Sequence, residues 1–192
     1  VDIYGTSSPY CVCFYRHYSL GDTNICKPCH YSCQVCKAGD RSGCIICNFT
    51  SLRHFDVSTT ACPCNDGYYD NNVTEECQVC NTACTLCTTG LPNSCTACSP
   101  LYYLLLSKTT CYATCPDFFY NYQIDFTCKE CSLNCQVCLN SSYCSKCATG
   151  SLLYKQACVS SCPDGTYSVV TASGGICNDC PTGCKTCKDT TL

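Results

Sequence analysis

Methionine and tryptophan are absent from this chain, and only 35 of its 192 residues are Leu, Ile, Val or Phe. A share of about 18% for those four types would by itself point toward disorder, because so little apolar surface cannot offset the entropy of ordering the backbone. Long apolar runs are also missing. The longest, Leu101 to Leu106, has six residues and is too short to cross a bilayer. No basic stripe exists either, since the eleven Lys and Arg residues are scattered (Arg16, Lys27, Lys37, Arg41, Arg53, Lys108 among them) and the formal net charge is −3. Nucleic acid therefore has no electrostatic footprint to bind, and an anionic membrane surface has no polybasic partner. No window keeps apolar residues at three- and four-residue spacing, so almost no helix is expected. Val1 opens the sequence without a basic region followed by an apolar one, and a targeting segment is expected to have been removed or to lie elsewhere.

Cysteine fills the gap. There are 30, about 16% of the chain against the roughly 8–10% that marks a disulfide scaffold. They recur in register: sets of eight start at Cys26, Cys77 and Cys128, and half of a fourth begins at Cys177. Each set reads C-x2-C-x3-C-x2-C, a gap of five to seven residues, C-x2-C, a loop, and a last close pair. A fixed period of this size is the mark of a tandem array in which neighbours stabilise one another. The expected boundaries are 1–25 for the C-terminal part of a truncated repeat, 26–76 for repeat 1, 77–127 for repeat 2, 128–176 for repeat 3, and 177–192 for the N-terminal half of another. A unit of this size has too small an interior to stand alone, and a closed loop of 15 residues adds on the order of 3 kcal/mol. Cysteine used this densely implies an oxidising compartment. Three glycan-acceptor triplets starting at Asn48, Asn72 and Asn140 agree with a secreted surface, unused triplets being the bland alternative.

The run Cys77-x2-Cys80-x3-Cys84-x2-Cys87-x7-Cys95-x2-Cys98, followed by Cys111-x3-Cys115-Pro116, resembles the furin-like cysteine-rich repeats of growth-factor-receptor ectodomains and proprotein-convertase tails. Cys158-x3-Cys162-Pro163-Asp164-Gly165-Thr166-Tyr167 is similar to that family's C-P-x-G-x-Y turn. The resemblance spans nearly the whole chain and speaks to fold more than to function. It implies a small disulfide-rich fold: an elongated rod of tandem modules with short β-hairpins. It also implies a pairing: Cys13 with Cys26, Cys29 with Cys36, Cys33 with Cys44, Cys47 with Cys62, Cys64 with Cys77, Cys80 with Cys87, and Cys84 with Cys95. The later pairs are Cys98 with Cys111, Cys115 with Cys128, Cys131 with Cys138, Cys135 with Cys144, Cys147 with Cys158, Cys162 with Cys177, and Cys180 with Cys187. Cys11 and Cys184 are left over, which points either to partners outside the sequence or to a bond between the two. Cys11-Val12-Cys13 and Cys62-Pro63-Cys64 depart from the family in being C-x-C. On a strand that spacing puts both sulfurs on one side.

Between the staples, the stretches Phe49–Phe55, Leu101–Leu106 and Leu152–Tyr154 read as one strand of a hairpin turned by polar residues such as Ser58-Thr59-Thr60 or Ser107-Lys108-Thr109. The segment after each eighth cysteine is aromatic (Phe14 and Tyr15, Tyr68 and Tyr69, Phe118 to Tyr120, Tyr167), which suggests packing on the neighbouring module's disulfides. Leu101, Tyr102, Tyr103, Leu104, Leu105 and Leu106 form the most apolar stretch, either packed locally or offered as a self-association surface. Zinc would need four thiolates per ion, which the C-x3-C and C-x-C pairs suit poorly. Asp66, Asp70, Asn71, Asn72, Glu75 and Glu76 gather oxygens without a calcium-loop spacing and read as a solvated turn. His17, His30 and His54 belong to no catalytic motif and read as surface residues. The sequence thus predicts a non-enzymatic extracellular scaffold without cofactors, a segment of a large cysteine-rich glycoprotein of the kind ciliates and other protists carry. Its expected partners are copies of itself or other extracellular proteins, and N-linked glycans, with filament or coat assembly in view. The alternatives are a ligand-binding receptor ectodomain and a convertase tail.

Overall fold

A computed structural model describes residues 12–21, 25–171 and 174–188. The chain divides into two compact units, Val1–Ala97 and Cys98–Leu192. In the first, β1 (His17–Ser19) pairs with β2 (Cys26–Pro28), β3 (Cys33–Cys36) with β4 (Cys44–Cys47), and β5 (Tyr68–Tyr69) with β6 (Gln78–Val79), all antiparallel. A further pair, β7 (Cys84–Cys87) and β8 (Cys95–Cys98), follows and ends at the division. The second unit holds a sheet of β9 (Tyr103–Leu105), β10 (Thr110–Tyr112), β11 (Phe119–Tyr122) and β12 (Thr127–Glu130) in the order β10-β9-β12-β11. It also holds the hairpin of β13 (Cys135–Asn140) and β14 (Tyr143–Cys147). A second four-stranded sheet contains β15 (Leu152–Tyr154), β16 (Ala157–Val159), β17 (Thr166–Thr171) and β18 (Gly174–Asp179) in the order β16-β15-β18-β17. The helical elements among the described residues are three-residue 3-10 turns such as Arg41–Gly43 and Pro92–Ser94.

Fourteen disulfides join Cys13–Cys26, Cys29–Cys36, Cys33–Cys44, Cys47–Cys62, Cys64–Cys77, Cys80–Cys87, Cys84–Cys95 and Cys98–Cys111. They continue with Cys115–Cys128, Cys131–Cys138, Cys135–Cys144, Cys147–Cys158, Cys162–Cys177 and Cys180–Cys187. These are the pairs that the resemblance implies. Sulfur also forms much of the core: Cys33, Cys36, Cys44, Cys47 and Cys62 make one buried cluster, and Cys135, Cys138, Cys144 and Cys147 another. Cys184 is a free, half-buried thiol, and Cys11 lies outside the described residues.

Successive repeats are joined by one recurring device. Three residues after each eighth cysteine stands a residue with positive φ: Arg16 (66°), Gly67 (83°), Phe118 (73°) and Gly165 (83°). Its N–H donates to the carbonyl that follows the next repeat's third cysteine, at Gln34 (3.1 Å), Thr85 (2.6 Å), Gln136 (2.7 Å) and Lys185 (2.6 Å). Its own carbonyl accepts from the N–H of the second cysteine, at Cys29, Cys80, Cys131 and Cys180. The left-handed conformation aims both groups forward, which is why glycine fills two of the four slots. Tyr18 and Tyr120, two residues further on, pack on the next repeat's disulfide cluster. The last hairpin of one repeat thus docks on the first hairpin of the next, and the boundary at Ala97 and Cys98 falls inside repeat 2.

Loop length decides the details. The two earlier repeats separate their third and fifth cysteines by 11 residues and fit a 3-10 turn into the gap. Repeat 3 separates them by nine, and β13 and β14 instead run on to an Asn140–Tyr143 pair at the hairpin tip. The Leu101–Leu106 stretch is mostly not a free surface. Tyr103 and Leu105 are buried against Cys128, and both edges of β9 are taken, by β10 and by a parallel bridge from Thr127 to Leu104. Tyr102 and Leu104 are half-buried, and Leu101 and Leu106 are exposed.

Candidate functional site

Repeat 1 contains the one fully buried arginine among the described residues. Arg53 occupies a strand position bridged to Cys64, with its side chain wholly shielded. Its Nη1 donates to Asp70 Oδ2 at 2.9 Å and to the Cys62 carbonyl at 3.0 Å, its Nε donates to the Glu75 carbonyl at 3.0 Å, and Nη2 has no partner. Asp70 also accepts from the Tyr31 hydroxyl (2.9 Å), the Asn72 N–H (2.9 Å) and, at 3.4 Å, Arg41. The Arg53 guanidinium stands 5.5 Å from the Tyr31 ring, and the His30 ring lies 4.1 Å from that of Tyr31 at a 35° tilt. Burial pushes the Asp70 carboxyl up, but the Arg53, Asn72 and Tyr31 hydrogen bonds and the Arg53 charge outweigh it and hold it below its ordinary value. Burial, then the Asp70 hydrogen bond and charge, raise Tyr31; burial, then Arg41, lower His30.

The cluster has a structural job. In repeat 2 the Leu104 N–H donates to the Phe126 carbonyl at 2.8 Å, two residues before a first cysteine. The Glu75 carbonyl holds the same place before Cys77, and a side chain reaches it instead. Arg53 therefore ties the second and third hairpins of repeat 1, where repeats 2 and 3 use parallel strand pairing. The expected solvated turn is corrected accordingly: Asp70 is an interior ion-pair partner, and His30 is a half-buried neighbour of it. Sequence reasoning missed the cluster; the available signal was Arg53 in the slot where the later repeats carry Leu104 and the strand Leu152–Tyr154, between the apolar residues Leu52 and Phe55.

The three acceptor asparagines differ. Asn140 is exposed at the β13–β14 tip, where its Oδ1 accepts from the Ser142 N–H at 2.9 Å. Asn72 is exposed in a tight turn with φ 58°. Asn48 is half-buried and caps the 3-10 turn Phe49–Ser51, its Oδ1 accepting from the Thr50 N–H (3.3 Å) and hydroxyl (2.7 Å). Its Nδ2 donates to Glu75 Oε1, and Glu75 is also gripped by both terminal nitrogens of Arg16. Asn48, Thr50, Ser51, Thr74, Glu75, Glu76 and Gln78 line a cleft of about 430 Å³. Elsewhere, the sulfurs of Cys135, Cys144 and Cys158 lie within 4.8 Å of one another. All three are consumed in disulfides and offer no thiolate to a metal.

No sequence-family model matches the chain. Among curated proteins it is 30% identical, over 96% of its length, to 12% of Furin-like protease 2 of Drosophila melanogaster. It is 33% identical, over 90% of its length, to 9% of Cysteine repeat modular protein 2 of Tetrahymena thermophila. A third relative, Proprotein convertase subtilisin/kexin type 5 of Rattus norvegicus, is 31% identical over 61% of the chain and 6% of its own length. The chain spans about a tenth of the length of these relatives, and the matching regions are cysteine-rich repeats and not catalytic domains.

Proposed function

This chain is an array of furin-like cysteine-rich repeats, and we propose that it serves as a non-enzymatic extracellular scaffold within a larger surface or secreted glycoprotein, with glycans and hairpin tips as its exterior and lateral or end-to-end assembly into a filament or coat. The observation that carries this reading is the junction at Arg16, Gly67, Phe118 and Gly165, where one pair of backbone hydrogen bonds is used four times over. What the sequence repeats is therefore a connector. Its bonds are made by main chain, so side chains there are free to vary while the spacing is kept. Fourteen disulfides suit an oxidising exterior, where covalent loops replace an apolar core. The test is secretion of the 192-residue chain from a eukaryotic host, followed by disulfide mapping, sedimentation and electron microscopy. Ordered oligomers of fully oxidised protein support the reading. A chain that is stable only when reduced and metal-loaded sinks it, and a strictly monomeric oxidised chain removes the assembly part.

The names of the fly and rat relatives favour a second reading, in which these repeats are the cysteine-rich region of a convertase-type protease. It leaves the role of these residues non-enzymatic, and a protease domain encoded upstream in the same gene decides it.

A further inference from the structure

We infer that the polar cleft beside Asn48 is a built seat for the first sugar of an N-linked oligosaccharide attached to that asparagine, so that this glycan is part of repeat 1 rather than a free surface chain. The inference rests on the glycosylated-exterior reading above and adds to it a specific binding site.

Three observations carry it. Asn48 Nδ2, the only atom that can bear the glycan, is turned toward Glu75 Oε1, and both residues line the same cleft. A sugar carbon bonded to that nitrogen therefore starts at the edge of the cleft that Asn48 lines. Each lining residue carries a polar group: Ser51 a hydroxyl, Thr50 and Thr74 hydroxyls that also bond within the repeat, Gln78 an amide, and Glu75 and Glu76 carboxylates, a mix of donors and acceptors that sugar hydroxyls and an acetamido group use. The volume, about 430 Å³, is more than one hexosamine residue occupies, since each of its bonded heavy atoms takes less space than the roughly 30 Å³ of a liquid water. Asn140, at its hairpin tip, and Asn72, in its exposed turn, are not among the residues that line this cleft.

The chemistry is compatible with the contacts already present. In transfer, the Asn48 nitrogen bonds to C1 of the oligosaccharide as the bond from C1 to the pyrophosphate of a polyprenyl-linked donor breaks. One Nδ2 proton passes to a base and the pyrophosphate leaves. The second Nδ2 hydrogen remains and continues to donate to Glu75, which Arg16 holds in place. The sugar is added before folding, and the folded repeat then closes around it.

The experiment uses the 192-residue chain secreted from a glycosylating host and treated with a peptide amidase that removes N-glycans, with release at each asparagine followed by mass spectrometry as conversion to aspartate. In the native protein, release at Asn48 is expected to be about tenfold slower than at Asn140, the factor that one or two net hydrogen bonds supply. After reduction and denaturation the two rates are expected to be equal. The double variant Glu76→Ala/Gln78→Ala keeps the acceptor triplet and is expected to bring native release at Asn48 close to that at Asn140, with disulfide mapping as the check on folding. Equal native rates in the unaltered chain overturn the seat. So does an unmodified Asn48 beside glycosylated Asn72 and Asn140, an outcome that leaves the glycosylated exterior standing. A chain without glycan at any of the three overturns the seat and that exterior together.

Discussion

Arg53 Nη1 lies 2.9 Å from Asp70 Oδ2 in the interior of repeat 1, with the arginine side chain shielded from solvent and the aspartate 9% exposed. The pair adds a side-chain tie between two hairpins that share a backbone hydrogen bond, from the Cys77 N–H to the Ser51 carbonyl (3.3 Å), where the other repeats use parallel strand pairing. Its contribution is asymmetric, because a charge left alone in an interior costs far more than an intact pair contributes.

Asp70→Ala strands the Arg53 guanidinium and is expected to destabilise repeat 1 by about 3–5 kcal/mol. The double variant Arg53→Met/Asp70→Asn removes both charges and is expected to recover much of that loss. Denaturant titration of the oxidised proteins, with hydrogen exchange at Gln78 and Val79, measures both. A double variant no more stable than Asp70→Ala would show that the pair's geometry matters more than its charge.

Acid should loosen the same region. Asp70 is held below its ordinary pKa in the folded state, so its stabilisation is complete above the unfolded value, near 4, and is lost as pH falls through the folded value. Asp56, lowered to about 2 by hydrogen bonds from the Ser58 side chain, from Thr59 and from the Ser58 N–H, behaves alike in its turn. Protection of the Asn72 and Ser58 amides, measured against the intrinsic exchange rate at each pH, is expected to fall between about pH 4 and pH 2. In Asp70→Asn the acid dependence at Asn72 is expected to vanish while that at Ser58 persists.

At the junctions, Gly67→Ala meets no atom within 4 Å of the added Cβ and bears only the strain of φ +83°, about 1–2 kcal/mol. Gly67→Pro fixes φ near −65° and deletes the N–H that donates to Thr85, at a cost of about 3 kcal/mol or more. Limited proteolysis near residue 67 is expected to be slow in the first variant and fast in the second.

Removing the Cys33–Cys44 bridge by double substitution to Ala opens an 11-residue separation and is expected to cost about 3 kcal/mol in chain entropy, with a further loss of core packing. Secreted yield and the denaturation midpoint report it.

If assembly uses the apolar segment of repeat 2, its accessible residues are Leu101 and Leu106. Leu101→Ser/Leu106→Ser is expected to abolish self-association seen by sedimentation and leave the monomer folded, whereas Leu105→Ser buries a hydroxyl and is expected to destabilise repeat 2. Unchanged association in the first variant moves the contact elsewhere.

Spacing carried most of this fold. Cysteine positions act as distance restraints once the family resemblance supplies their pairing, because a disulfide needs its two Cα atoms within about 7 Å, and the second hairpins at Leu101 and Leu152 follow from β-forming residues set before polar turn residues. The shorter gap from Cys138 to Cys144 was visible too, although its effect, a longer β13–β14 hairpin carrying Asn140 at its tip, was not. Asp70 was misread as solvated because its partners Tyr31, Arg41 and Arg53 stand 39, 29 and 17 residues away, and no local pattern encodes such a meeting.

By itself the sequence determined the periodic cysteine frame, the shortage of helix and the oxidising chemistry, since each depends on composition or on neighbours along the chain. The tertiary structure alone decided that Arg53 takes over part of a strand pairing, that Tyr103 and Leu105 of the apolar stretch in repeat 2 are interior, and that Asn48 lines a cleft that Asn140 does not. These outcomes turn on which side chains the folded hairpins bring within hydrogen-bond reach, a property of distance in space that residue order does not contain.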